Sequence, residues 1–229
     1  MIARVGVALL WLLHFAPAIA RAWLGRLFGD LLWLLARERR EVCLINLRRC
    51  MPALTAKEVR WLARLHFRAL GRSIVDRGLL WWGNRDQINH QIEVVGRENI
   101  LAVAGRPIIL LAPHFVGLDA GFTRLSCEID MASIYANQKD AYFNRLLLGG
   151  RTRFGTQKLF SRQEGIRPAV RALKAGTPFY YLPDQDYGAR DAVFVPFFGN
   201  QAATITGLSR LAALTGAIVL PCVTRFAAL

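Results

Sequence analysis

Gly105-Arg106-Pro107-Ile108-Ile109-Leu110-Leu111-Ala112-Pro113-His114 is the stretch on which the fold turns. Residues 107–112 form a short apolar run bounded by Gly105 and Pro113, as a fully buried strand does. Residues 116–127 then read as a helix. Further along, residues 131–136 read as a second strand and residues 141–148 as a helix. Residues 163–175 form a helix closed by Gly176 and Pro178. Residues 179–182 are a strand ending in Pro183-Asp184. Residues 193–198 are extended and interrupted by Pro196. Residues 203–214 are expected to be a helix, with Thr204 near its start and Gly216 at its close. Residues 217–223 are a last strand. Strands alternating with helices predict an α/β fold, with a mainly parallel central sheet flanked by helices.

Upstream the grammar is helical. Residues 37–49 and 55–75 read as amphipathic helices separated by Pro52, and Thr55 with Glu58 forms a capping box. Leu79-Leu80-Trp81-Trp82 ends that section as core packing or a lipid-groove lining. Residues 5–20 carry no Asp, Glu, Lys or Arg. The run is shorter than the roughly 20 residues that cross a bilayer. Arg21 and Arg26 interrupt the chain beyond it, and residues 27–36 are apolar again except for Asp30. A short single span and an interfacial helix pair rich in Trp (Trp11, Trp23, Trp33) both fit. A buried core helix is the plain alternative, and a cleaved signal peptide lacks a convincing cleavage site. Residues 1–36 are therefore expected to be a membrane-anchoring helical segment and residues 37–229 the second domain. The sequence stops directly after a core strand, so a further C-terminal portion is expected beyond Leu229.

Composition points the same way. Hydrophobic residues make up 54% of the 229, and the mean hydropathy is +0.27. The formal charge is +14, and of 30 Lys+Arg only Lys57, Lys139, Lys158 and Lys174 are lysine. Arginine is the residue for planar contacts to phosphate and carboxylate. With no nucleic-acid-binding motif and an apolar N-terminus, anionic lipid or an acidic protein partner is expected, and no nucleic acid. Cys43, Cys50, Cys127 and Cys222 show no CxxC spacing and are expected to be reduced, which favours a cytoplasmic catalytic face.

The chemistry centres on Pro113-His114-Phe115-Val116-Gly117-Leu118-Asp119. A histidine leaves a buried strand, and an acid comes five residues later on the helix that opens. With His114 in the loop before the first turn, Asp119 can reach one imidazole nitrogen while the other faces a cleft as a base. The bland alternative is a turn-capping His and an Asp paired with an Arg. Arg151-Thr152-Arg153-Phe154-Gly155 offers planar donors beside a permissive glycine, against the plain reading of a solvated basic loop. Asp184-Gln185-Asp186 leaves a strand end, where acids can orient a substrate or an Arg; an ordinary turn is the alternative. Val193-Phe194-Val195-Pro196-Phe197-Phe198-Gly199 is rich enough in aromatics to hold an acyl chain, or to be core.

Taken together, His114…Asp119, Arg153-Phe154-Gly155, Asp184-Gln185-Asp186, and residues 193–199 with Ala203-Thr204 resemble, in order and spacing, the bacterial lipid A late (secondary) acyltransferases. These belong to the wider H-x4-D/E glycerolipid acyltransferase group. The resemblance covers roughly residues 104–223 and, loosely, the N-terminal anchor. It implies transfer of a fatty acyl chain from acyl carrier protein to a hydroxyl of a lipid A precursor at the cytoplasmic face of the cell inner membrane. His114 would take the hydroxyl proton and Asp119 would hold His114. Arg151, Arg153, Gly155, Asp184 and Asp186 would bind the anionic glycolipid substrate, and Phe194, Phe197 and Phe198 would line an acyl-chain groove. No metal and no organic cofactor is expected, because a thioester is already activated. Other lipid acceptors (a lysophospholipid, an ornithine lipid, a mannosylated inositol lipid) and a non-catalytic membrane lipid-binding protein are the competing readings. A serine hydrolase is disfavoured by the lack of a Gly-x-Ser-x-Gly elbow.

Overall fold

The structure, a computed structural model, describes residues 2–185, 188 and 192–227. It comprises two compact units, residues 1–78 with 187–204 and residues 79–186 with 205–229.

In the first unit, α1 (Ile2–Leu13) and α2 (Ala18–Leu35) are separated by a turn that ends at Pro17. Then come α3 (Arg37–Cys50) and α4 (Ala56–Trp82), whose last residues belong to the second unit. Thr55 and Glu58 form the predicted capping box: the Thr55 backbone N–H donates to Glu58 Oε2 at 2.7 Å, and the Glu58 N–H donates to Thr55 Oγ1 at 3.3 Å. The helix runs past residue 75, through Leu79-Leu80-Trp81-Trp82.

Glycine decides how α2 meets α4. A Cβ on Gly25 would strike the backbone of Arg72, one on Gly29 that of Arg68, and one on Gly71 those of Gly25 and Gly29. The contacts climb one helix as they descend the other, so the pair is antiparallel and packs backbone to backbone. Ion pairs flank this seam. Arg21, 2% exposed, donates to Asp76 at 3.1 Å, and Asp30 accepts from Arg64 at 2.7 Å and from Arg68 at 2.8 and 2.9 Å. Hydrogen bonds from Arg68 and Arg64 lower the Asp30 carboxyl to about 2. Trp33, expected at a membrane interface, is buried against Leu44, Val59, Ala63 and Phe67 instead. By contrast Ile19, Trp23, Leu27 and Leu34, at helical spacing along α2, are exposed. Among the described residues, no helix is long and apolar enough to cross a membrane.

The unit's remaining element is a hairpin of β5 (Ala192–Phe197) and β6 (Asn200–Ile205), joined by the two residues Phe198 and Gly199. Both have positive φ, 48° and 74°, as a tight hairpin turn requires. The helix predicted for residues 203–214 is thus displaced: its first residues are strand, and α10 spans Gly207–Thr215.

The second unit carries the sheet. Its opening helices are α5 (Arg85–Gln91) and α6 (Arg97–Leu101). They are followed by β1 (Ile108–Leu111), α7 (Leu118–Ser126), β2 (Ala132–Tyr135), α8 (Ala141–Thr152), β3 (Lys158–Ser161), α9 (Arg167–Lys174), β4 (Phe179–Tyr181), α10 and β7 (Ile218–Pro221). The strand order is β3-β2-β4-β1-β7, and every pairing is parallel. Side chains of β1 alternate between two covered faces. Ile108 and Leu110 pack with Phe122 and Leu125 of α7, whereas Ile109 packs with Ala172 and Leu173 of α9 and Leu211 of α10. Burial on both sides explains why β1 is apolar at every position.

Three differences from the sequence reading have physical causes. β3 was not anticipated; Lys158–Ser161 pairs with β2 at the sheet edge, where one neighbour suffices and the strand need not be wholly apolar. The helix predicted for residues 163–175 is a short 3₁₀ turn followed by α9, with Gly165 (φ 69°) at the break. α8 continues four residues beyond 148 through Gly149-Gly150, and the glycine at 150 is required there because the Trp81 indole leaves no room for a Cβ.

The glycine seam yields a stability prediction. Gly71→Ala should cost about 1–3 kcal/mol, because the two backbones must separate. Gly6→Ala on α1, where a Cβ meets nothing within 4 Å, should be neutral or gain up to about 1 kcal/mol. Denaturant unfolding of the two variants checks this; equal effects would mean that the seam is loose.

Candidate functional site

β1 and β4 are neighbours, with Leu111 opposite Tyr181. Each strand then leaves the sheet by the same count: Leu111-Ala112-Pro113-His114 and Tyr181-Leu182-Pro183-Asp184. The Ala112 N–H still donates to the Tyr181 carbonyl at 2.9 Å, so the register holds into the loops. His114 and Asp184, 70 residues apart in sequence, consequently meet at the carboxyl edge of the sheet, where open α/β folds place their ligands.

The contact is twofold. Asp184 Oδ2 accepts the His114 backbone N–H at 2.7 Å, and Asp184 Oδ1 lies 2.6 Å from Nδ1 of the ring. A carboxylate at Nδ1 selects the tautomer protonated there and leaves the Nε2 lone pair open. Nε2 lies 3.1 Å from the side-chain nitrogen of Gln185, which can donate to it. Both His114 and Asp184 remain about one-third exposed, at 34% and 38% of their side-chain surface. A solvent-reachable imidazole with one nitrogen fixed and the other basic is equipped to accept a proton.

Asp119 takes a different partner. It lies in the first turn of α7 and accepts from Arg151 at 2.6 Å. The carboxylate in contact with His114 is Asp184, whereas Asp119, to which the sequence reading gave the orienting role, contacts the Arg151 guanidinium. The start of α7 is pinned in place from below and from the side. Tyr180 of β4 donates its hydroxyl to the Leu118 carbonyl at 3.1 Å, and its burial pushes that hydroxyl's pKa well up. Gly117 and Gly121 lie against Thr224, leaving no room for a Cβ.

The other predicted residues scatter. Arg151 belongs to the last turn of α8 rather than to a loop. Arg153 stacks over the Phe154 ring, with Arg85 on the same ring. It lies in the electrostatic field of Cys127, beyond the end of α7 remote from Asp119, and burial pulls its pKa down. Arg153 is thus grouped with Phe154 and Arg85. Gly155, at φ 63°, adjoins Asp130, whose carboxylate accepts the Thr156 N–H at 2.6 Å. Its permissiveness therefore serves a turn. Phe194, Phe197 and Phe198 lie on the β5–β6 hairpin, exposed, in the other unit. Asp186 lies outside the described residues. Among the described residues, no group of three or more His, Cys, Asp or Glu side chains is placed to hold a metal ion. Sequence reasoning did not single out Gln185. The matching exits Ala112-Pro113-His114 and Leu182-Pro183-Asp184 were the available signal for the pairing.

A parallel sheet that presents a carboxylate-held histidine at its carboxyl edge puts the chain among α/β proteins with a strand-end reaction site. The chain belongs to the bacterial lipid A biosynthesis acyltransferase family, whose sequence profile matches residues 1–228, and it is an acyltransferase. It is 31% identical over 224 residues to the lipid A biosynthesis lauroyltransferase of Escherichia coli, covering 96% of this chain and 72% of that one. A lipid A biosynthesis acyltransferase of Haemophilus influenzae is 31% identical over 225 residues, 97% and 70% of the two chains. The palmitoleoyltransferase of lipid A biosynthesis in Escherichia coli is 28% identical over 218 residues, 94% and 71%.

The two carboxylates can be told apart by experiment. In Asp184→Asn the amide oxygen still accepts the backbone N–H, but the amide nitrogen donates to Nδ1 and drives the proton to Nε2. Acyl transfer should fall roughly 10²–10⁴-fold in kcat with the fold intact. Asp119→Asn should leave the imidazole tautomer unchanged, as seen by ¹⁵N NMR of the ring. Near-normal turnover in Asp184→Asn, with the large loss in Asp119→Asn, would return the orienting role to Asp119.

Proposed function

We propose that this acyltransferase moves a fatty acyl chain from acyl carrier protein to a hydroxyl of a lipid A precursor, with His114 as general base. The observation that carries the mechanism is the double grip of Asp184 on His114, which makes Nε2 the basic nitrogen of the ring; an acceptor hydroxyl would take the place of the Gln185 amide at Nε2. The acceptor hydroxyl gives its proton to Nε2 as its oxygen attacks the thioester carbonyl carbon. The carbon–sulfur bond then breaks, and the departing thiolate recovers the proton from the imidazolium. One displacement completes the transfer, without an acyl-enzyme and without a cofactor. Asp184 stabilises the imidazolium while it exists.

Arg151 is the arginine best placed for an acceptor phosphate, because Asp119 holds it at the first turn of the helix that comes after His114. Arg153, at the other end of that helix, serves an anionic group farther from the reacting hydroxyl. The lipid A acceptor is supported by family membership and by the names of the relatives. The carrier-protein donor rests on the chemistry of a thioester and on the basic surface that an acidic carrier would find.

The work is placed at the cytoplasmic face of the inner membrane, with the protein held by its N-terminal helices lying in the interface. α2 supports this with its orientation: Gly25 and Gly29 face α4, and Ile19, Trp23, Leu27 and Leu34 face out, while Trp33 packs inward. Such a face suits a headgroup–acyl boundary.

Purified protein given acyl carrier protein thioester and a lipid A precursor should yield an acceptor heavier by one acyl chain in the mass spectrum. His114→Ala should slow this roughly 10²–10⁴-fold. Acylation of a lysophospholipid but not of the lipid A precursor would refute the acceptor assignment.

For the anchor, Ile19→Ser, Trp23→Gln, Leu27→Gln and Leu34→Gln combined should weaken flotation with anionic vesicles while the seam stays folded. Undiminished flotation would take the interfacial role away from α2.

A further inference from the structure

The β5–β6 hairpin is apolar where a hairpin should be polar. Val193, Phe194, Val195 and Phe197 are all exposed, and since successive side chains point to opposite faces, both faces of β5 are bare. At the turn Phe198, the one non-glycine residue with positive φ among those described, is 56% exposed. A bulky side chain in that backbone region is strained, and the Phe198 ring stands exposed at the tip.

The second observation is what lies beside that tip. Asn200, the first residue after the turn, donates from its side-chain nitrogen to the Phe198 carbonyl at 3.0 Å and to the Arg49 carbonyl at 3.1 Å. It thereby ties the tip to the end of α3, whose last turn carries exposed Arg48 and Arg49. No acid lies between Val42 and Ala56, whereas Arg48 and Arg49 are adjacent. The wider setting is equally basic, with 14 Lys+Arg against five Asp+Glu in residues 1–78. An aromatic wedge with an arginine collar matches the bilayer interface, where aromatic rings sit at headgroup level and guanidinium groups meet phosphate.

We infer that the β5–β6 hairpin is a lipid-inserting element: Phe198, Phe197 and Phe194 enter the interfacial layer of an anionic bilayer, and Arg48 and Arg49 bind the headgroup phosphates around them. The aromatic motif at residues 193–199 then serves the membrane rather than an acyl-chain groove. This extends the membrane placement above to a second element, and it does not depend on which lipid is the acceptor.

The test is a local one, because α2 can bind vesicles by itself. An environment-sensitive NBD label is placed at Phe198→Cys, and in a second protein at Phe194→Cys, with the four native cysteines replaced. Thermal unfolding confirms that the labelled proteins are folded. Vesicles of phosphatidylethanolamine with phosphatidylglycerol should shift the emission of both labels to the blue and expose them to quenching by nitroxide lipids. A label at exposed Lys174→Cys should not respond. Adding Arg48→Gln and Arg49→Gln should raise the lipid concentration for half the shift by on the order of tenfold. Vesicle-bound protein whose hairpin labels stay unshifted would overturn the inference while leaving the membrane placement intact. Failure to bind vesicles at all would overturn both. A shift produced by acyl carrier protein alone would make the hairpin a protein-docking surface. A shift produced by a short-chain acyl thioester without vesicles would restore the acyl-chain groove. Either result refutes lipid insertion.

Discussion

Parallel pairing of β1 with β4 is the constraint on which the candidate site depends. Leu111 lies opposite Tyr181, and from there each chain takes three residues to reach a polar side chain. Parallel strands point their carboxyl ends the same way, so an equal count delivers His114 and Asp184 to the same height. The proline just before each of them removes a backbone donor and restricts φ, which keeps the two loops extended until the pair has met. A carboxylate that binds the backbone N–H and ring Nδ1 of one histidine fixes both its rotamer and its tautomer. Shifting either strand by one residue would send the side chain to the opposite face of the sheet.

Around that pair, a second carboxylate has separate work. Asp119 has the favourable place for an acid, the first turn of a helix, but its oxygen is directed to Arg151. Each acid thus stabilises a different partner, one an imidazole and the other a guanidinium. Tyr180 joins the two arrangements: it belongs to β4, three residues before Pro183, and it holds the Leu118 carbonyl beside Asp119. The loop from His114 to α7 therefore has its ends fixed by the sheet and by a buried hydroxyl.

Much of this was legible in the sequence. Short apolar runs placed β1, β2, β4 and β7 to within about two residues at each end, and in β1 burial on both faces leaves that signal unbroken. His114 was legible for the same reason, as the first ionisable group after such a strand. Its partner was not. H-x4-D pairs residues close in sequence, whereas a sheet pairs residues by register, and register becomes visible only when two strands are known to be neighbours. The edge strand β3 and the strand β6 were also missed. β3 opens on Lys158 and ends on Ser161, and β6 opens on Asn200-Gln201 after a tight turn, so neither shows an apolar run. Trp33 shows the opposite failure: an aromatic residue in an apolar segment says nothing of which side of the helix it occupies.

The helical unit obeys a different rule from the sheet. A water-soluble helix pair turns its large apolar residues inward, where burying each is worth about 1.5–3 kcal/mol. α2 turns Gly25 and Gly29 inward and leaves Ile19, Trp23, Leu27 and Leu34 outside. α2 is held to α4 by Trp33 packed against Val59, Ala63 and Phe67, by close backbone packing through Gly71, and by the ion pairs of Arg21 with Asp76 and of Asp30 with Arg64 and Arg68. Close packing of small residues is how helices associate where the solvent is itself apolar and burial gains nothing. Charge pairs also attract more strongly where the surroundings have a low dielectric constant. Glycine packing and charge pairing both persist in an apolar surrounding, whereas the outward face is one that water penalises. A bilayer interface, the setting proposed above for this unit, would satisfy the two conditions together.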